Sequence, residues 1–329
     1  MSSVTKVALI FAGILLACLV AAAIVIGVTF GREGGVKNVA DFIGSEEFQI
    51  DESETFDLDG ISAMSVECTS GNVEFVASDE MKATLSGTVI TNKDITDFLS
   101  VQKQGDTLNI VVDKDSLWPD VRIKMALTIY IPADSMIDLK VDSTSGNFNV
   151  AGMSFGDMEI KKSSGNAKFE NVTASTLVYN SISGNIDIVD SQIGSMEVLS
   201  TSGDIDIENA SGAIFVRSTS GNTNIVGADG ALDIGGTSGD ITVELASADI
   251  GPVSLERTSG NIKIYMSADT AFDFEGKTTS GNITSDIPIS VTGELGESFS
   301  GDNVRGSANG GGPLIKAQVT SGNIRIIEK

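Results

Sequence analysis

The stretch "SISGNIDIVD" (181–190) is followed nineteen residues later by "STSGDIDIEN" (200–209). Aligning the chain on the Gly of this Ser-Gly-Asn/Asp turn gives Gly146, Gly165, Gly184, Gly203, Gly221, Gly239, Gly260, Gly281, Gly301 and Gly322. The intervals are 19, 19, 19, 18, 18, 21, 21, 20 and 21 residues. Gly71 in "CTSGNVEF" is an isolated earlier copy.

Apolar residues keep fixed offsets from that Gly. Two and four positions after it come Phe148 and Val150, Ile186 and Ile188, Ile205 and Ile207, Ile241 and Val243, Ile262 and Ile264, and Ile324 and Ile326. Seven and five positions before it come Leu139 and Val141, Leu177 and Tyr179, Met196 and Val198, Ile214 and Val216, Leu232 and Ile234, and Val253 and Leu255. Both sides have the period of a strand with one face inward. The parity changes across the turn, which a Gly at positive φ accommodates.

A unit of strand, corner and strand cannot bury its apolar face alone, whereas stacked units share one continuous core. The expected fold is all-β: a single β-solenoid of about ten coils of 18–21 residues. At about 4.8 Å per rung, ten coils make a rod on the order of 50 Å long. The Leu/Asn pattern and helical side of leucine-rich repeats are absent, and the apolar offsets do not recur every six residues as in a hexapeptide helix. In register, each Asn or Asp stands over its equivalent, and the spacing predicts side-chain amides bonding to one another along the rod.

Residues 136–329 are expected to form the repeats and 51–135 a β-rich N-terminal cap. Within the cap, "ATLSGTVITN", "LSVQKQ", "DTLNIVVDKD" and "VRIKMALTIYIP" read as longer, sandwich-like strands, with Trp118 and Pro119 in a loop. Residues 293–314 read as a Gly-rich loop before a last regular coil closes the chain. Residues 31–50 read as a linker.

Residues 7–30, "VALIFAGILLACLVAAAIVIGVTF", carry no charge. At about 1.5 Å per residue they span roughly 36 Å, enough to cross a bilayer as one transmembrane helix. The following "GREGG" offers no clear site for a cleaved signal. Leu15–Cys18 loosely resembles a lipobox, but apolar residues continue past Cys18. An uncleaved, single-pass N-terminal anchor is therefore expected in the cell membrane, with residues 7–30 partnering the bilayer. Lys6 on one side and Arg32 and Lys37 on the other nearly balance, so the short tail and large acidic body argue for a body outside the cytoplasm.

The 329 residues hold 21 Lys plus Arg against 45 Asp plus Glu, a formal net charge of −24. Such a field repels phosphate backbones, so a nucleic-acid partner is excluded. With no His anywhere, every Ser-His and Cys-His nucleophile system is absent. Cys18 and Cys68 cannot form a zinc site, and no cofactor is expected.

The strand "DTLNIVV", the segment "LTIYIPADSMIDLKVDSTSGNFNV", the run of T-S-G-N/D corners and the ending "GSANGGGPLIKAQVTSGNIRI" together resemble the adhesin-like β-helix family of DUF4097 type, also described as auto-transporter-adhesin-like, over roughly residues 50–329. The resemblance implies a right-handed β-helix, often membrane-anchored and facing outward. It brings no catalytic residues.

Three positions after the corner Gly, Lys168, Asp187, Asp206, Asn224, Thr242, Lys263 and Thr284 are expected to point outward. Asp187 and Asp206 would stand one rung apart, near the spacing of a retaining glycosidase pair, and Asp204 offers a weak Ca²⁺ ligand. A solvated acidic face accounts for the same residues. Asn171-Val-Thr, Asn209-Ala-Ser and Asn282-Ile-Thr match the glycosylation acceptor pattern, as chance predicts in an Asn-rich repeat. No catalytic, cofactor or metal residue is assigned. The expected function is non-enzymatic adhesion or surface interaction with a protein or glycan. The alternatives are a bactofilin-like scaffold polymerising through open coil ends, a glycan-active enzyme and a regulator of envelope stress.

Overall fold

The computed structural model describes residues 46–91, 97–112, 122–245, 251–291, 294–299 and 303–329. The apolar segment 7–30, most of the linker 31–50, Trp118, Pro119 and Gly301 lie outside the described residues. Among those described, all regular structure is β, and no helix is long and apolar enough to cross a membrane.

The strands join one 27-stranded sheet that winds on itself. Each coil contributes a strand before the Gly corner and one after it, and equivalent strands of successive coils pair in parallel. In the first stack Leu139, Met158, Leu177, Met196, Ile214, Leu232 and Val253 stand in register. In the second, Phe148, Ala167, Ile186, Ile205, Thr223, Ile241 and Ile262 do the same. The predicted inward residues are buried, with Ile186, Ile188, Ile205, Val198 and Leu255 at 0% exposure. The offsets thus place the core correctly because a parallel register repeats each coil's inward face over the next.

The corner Gly residues need their identity. Gly184 and Gly203 have φ of 116° and 123°. A Cβ on Gly203 would lie 2.1 Å from the Gly184 carbonyl oxygen, and one on Gly184 would lie 2.3 Å from that of Gly165. Left-handed backbone and rung-to-rung contact both exclude a side chain here. The residue after each Gly builds a different ladder from the predicted one. The Asn185 side-chain oxygen accepts the Asp204 backbone N–H at 3.1 Å, and the Asp204 carboxylate accepts the Asn222 N–H at 2.8 Å. The ladder runs from side chain to backbone, so a carboxylate serves as well as an amide, which explains why either Asn or Asp can stand here. Among the described corner residues, Asn261 and Asn323 alone add amide-to-side-chain bonds along the ladder, each at 3.2 Å.

A second left-handed column, not read in the sequence, follows the second stack: Gly152, Asn171, Asp190, Asn209 and Gly227 all have positive φ. Asn and Asp tolerate this backbone better than other residues. The Asn209 amide donates to Asp190 Oδ1 at 2.9 Å. Asn171 and Asn209, which matched the acceptor pattern, are corner residues of this column.

Both ends depart from sequence order. Leu314–Ser321 pairs with Val253–Ser259 on one side and Phe272–Ser280 on the other, and Ile324–Glu328 lies likewise between Ile262–Met266 and Ile283–Val291. The last coil is therefore inserted between two earlier ones and does not close the end. Glu294–Phe299 and Asn303–Ala308 run antiparallel to the outermost coil and do not continue the parallel stacks. At the other end, Thr107–Val112 and Arg122–Ile131 continue the parallel stacks beyond Ala63–Ser70 and Asn72–Ala77. They are stack members and no separate sandwich, because Leu108, Ile110, Leu127 and Ile129 repeat the inward alternation. Lys82–Thr91 and Leu99–Gln104 then pair antiparallel on the outside. Strand Glu46–Thr55 pairs with Lys82–Thr91, so residues 46–50 belong to the folded body.

Candidate interaction surface

Inside the corner, three positions before each Gly, runs a polar column. Cys68, Ser143, Lys162, Ser181, Ser200, Ser218, Gly236 and Arg257 stand in register. Ser200 and Ser181 donate to carbonyls two residues on, at 3.3 and 3.2 Å. Lys162, 5% exposed, donates to the Gly146 carbonyl at 2.6 Å, and burial pulls its pKa down to about 8. Burial pushes the nearby Cys68 thiol up to about 11, which keeps it protonated and unreactive. Arg257 reaches across two rungs to Ser218 Oγ at 2.6 Å and Thr223 Oγ1 at 2.9 Å. Gly236 makes the passage, since a Cβ there would lie 1.7 Å from the guanidinium. The column is sealed interior, with no opening for a substrate.

The outer surface of the second stack is the charged face. The register brings Lys168, Asp187, Asp206, Asn224, Thr242 and Lys263 together as predicted. Partial burial raises the Asp187 pKa, with Asp206 beside it adding to the rise and Lys168 opposing it. Lys168 nevertheless pairs with Glu170 on its own strand. Asp204 does not stand with these two: its carboxylate serves the corner ladder. Among the described residues, no group of three carboxylates or thiols is placed to hold a metal ion.

The outer surface of the first stack is different. Phe215, Asp233, Ser254 and Lys316 form one outward column, with Glu197 next to Phe215. Ser195 and Ala213 belong to the neighbouring column, together with Ala231, Pro252 and Leu314. These two columns line a groove of about 360 Å³. Its floor is low because Ser195, Ala213 and Ala231 are small, and because the corner leading into these strands is made of Gly194, Gly212, Gly230 and Gly251. A Cβ on Gly230 would lie 1.9 Å from the Gly212 carbonyl, so these coils approach as closely as at the main corner. Phe215 and Leu314 form the walls, and Leu314 is 45% exposed.

The rim is fixed. The Arg217 guanidinium lies 3.9 Å from the Phe215 ring centroid and donates to Asp233 Oδ1 at 2.9 Å and the Val216 carbonyl at 2.9 Å. Lys316 pairs with Glu256 at 3.3 Å. Sequence reasoning missed this groove. The available signal was "AIFV" (213–216), where an aromatic occupies an outward position that is Glu197 or Asp233 in the flanking coils.

Fold and surface together define an all-β, solenoid-like protein whose Gly corners are structural. The Toastrack DUF4097 family model matches residues 61–327, and the chain belongs to that family. A candidate adhesin from Parabacteroides distasonis is 9% identical, over 85% of this chain and 97% of its own, with a TM-score of 0.47. A candidate lipid-binding protein from the same organism is 15% identical over 85% and 97%, with a TM-score of 0.42. A candidate adhesin from Bacteroides fragilis is 13% identical over 86% and 96%, with a TM-score of 0.34. No curated protein matches the chain.

Proposed function

We propose that this protein is a non-enzymatic surface-interaction module of adhesin type. In this reading residues 7–30 cross the cell membrane once as a helix, the coils wind right-handed and the body stands outside the cytoplasm. The groove between Phe215 and Leu314 is where a partner engages. The observation that carries the reading is this apolar groove on an otherwise acidic body, since exposed apolar concavities mark interaction sites.

Three features weigh against the rivals. A polymerising scaffold needs open coil ends, but antiparallel strands cover both outermost coils, and strand Glu46–Thr55, "EEFQIDESET", is densely acidic, which deters edge pairing. A glycan reader typically stacks a sugar between aromatic faces, but Phe215 is the one aromatic residue in the groove lining and Arg217 already occupies one of its faces. A hydrolase needs an enclosed pair of carboxylates, but the groove is lined by neither Asp187 nor Asp206. Protease added to intact cells carrying the full chain is expected to remove the body. A body that stays protected overturns the surface assignment.

A further inference from the structure

We infer that the groove takes apolar side chains from an extended, basic segment of a protein partner. This rests on the reading of the groove as the partner site and deepens it. Ser195, Ala213, Ala231 and Pro252 lie on four successive rungs with Leu314 closing the column on the fifth, so the groove runs roughly 20 Å along the rod. An extended segment of about six residues covers that length. Residues on one side of such a segment reach the carbon floor, and the alternating residues face the rim.

The floor and walls carry the carbon atoms of Ala213, Phe215, Ala231, Pro252, Val253 and Leu314. The polar groups at the edge are already engaged with one another: Arg217 with Asp233, and Lys316 with Glu256. That leaves the Ser195 and Ser254 hydroxyls as the unengaged polar side chains of the lining, fewer directed donors and acceptors than a ring of sugar hydroxyls needs. The volume of about 360 Å³ sits near the lower end of ligand sites, which run about 300–1,000 Å³. It suits a pair of side chains better than a folded surface.

Charge selects the flanking residues. Glu197, beside Phe215 in the register, and Asp229, two residues before Ala231, make no ion pair among the described residues. The two basic groups at the rim are both neutralised. Removing Lys6 from the count, residues 31–329 hold 20 basic groups against 45 acidic ones, so the body steers cationic segments toward itself. The same field opposes fatty acids and anionic lipid headgroups, whose carboxylate or phosphate would stand near Glu197.

The test uses the full chain held in phosphatidylcholine nanodiscs and a fluorescent seven-residue peptide that alternates lysine with leucine or phenylalanine. Leu314 is exposed, so Leu314→Asp is expected to fold and to weaken binding by about tenfold or more, as for a central anchor. Phe215→Ala is expected to act in the same direction, and Leu314→Met to restore wild-type binding. Asp187→Asn/Asp206→Asn, on the charged face, is expected to change binding by less than about twofold. A peptide with glutamate in place of lysine is expected to bind at least about tenfold more weakly. The inference is overturned if the lysine peptide does not bind, if Leu314→Asp and Phe215→Ala leave binding unchanged, or if the glutamate peptide binds equally well. Because binding is read on purified protein, its failure leaves the surface assignment standing. Protection from protease on cells would remove that assignment without touching the groove.

Discussion

The two outer faces of the coil are built from the same repeat and share the same corner, yet they carry opposite surfaces. On the second stack the outward positions hold the charged side chains Lys168, Asp187, Asp206 and Lys263. On the first they hold Phe215 and Leu314 around a floor of Ala and Pro. Inward positions are dictated on both stacks by the need to bury one face of every strand. Outward positions are under no such rule, so the two faces are free to differ.

That comparison makes the shared corner the place of greatest damage. Gly203→Ala forces a Cβ to within 2.1 Å of the Gly184 carbonyl at a φ of 123°. The expected loss is more than about 3 kcal/mol, read as a drop in urea midpoint. A wild-type midpoint would show that neither face depends on corner contact.

The interior comes next. Burial holds the Lys162 pKa at about 8 against an ordinary 10.5, so the unfolded chain binds the proton more tightly than the native one. The cost is full below pH 8 and shrinks as the pH rises toward 10.5, at a maximum of about 3 kcal/mol. Lys162→Met gives up the bond to Gly146, worth about 1 kcal/mol. It is expected to stabilise the protein by about 2 kcal/mol at pH 7 and by less at pH 9. Above pH 9 the raised Cys68 pKa opposes the trend, because a thiolate is favoured only in the unfolded chain, so the comparison belongs between pH 7 and 9. Stability that does not climb over that range in the wild type would remove the buried ammonium as a cost.

The smallest effect belongs to the charged face. Asp187→Asn relieves partial burial and repulsion from Asp206, and with screening the gain is at most about 0.5 kcal/mol. The raised folded pKa means the ionised carboxylate costs stability above it, so the variant's advantage is present at pH 7 and vanishes in acid. A loss above 1 kcal/mol would mean Asp187 has a structural task, and the two faces would no longer contrast as described.

The coil was legible because its period and its inward alternation are local consequences of backbone geometry. Gly184, Asn185, Ile186 and Ile188 announce their roles wherever they recur. The polar column was in plain view at Ser181, Ser200 and Ser218, but inward positions are recognised by apolarity, so the alternation seemed to stop two residues early. The ladder was half legible: the register was implied, while the choice of backbone N–H as donor follows from a distance that residue types do not encode. The order of the end coils was hidden for a simple reason. Every coil presents the same edge, so nothing in "GGPLIKAQVTSGNIRI" distinguishes stacking on Phe272–Ser280 alone from insertion beneath it. The groove is illegible for a related reason, since it depends on Ala213, Ala231 and Leu314 meeting across coils that are as many as a hundred residues apart.

The inserted coil also fixes how the rod can change length. Residues 272–291 and the antiparallel strands on them can take their places only after 314–328 has been synthesised, so the end is locked as a unit from behind. At the opposite end Ala63–Ser70 lies between Thr107–Val112 and Asp138–Ser145, and Asn72–Ala77 between Arg122–Ile131 and Phe148–Ala151. There the inner coil is synthesised first and receives its neighbours. Between the two ends, coils stack in simple chain order, each reproducing the edge it covers. Because each middle coil touches only its neighbours, gain or loss of one there is expected to leave both ends intact, making the middle of the rod a ruler and the two ends its fittings.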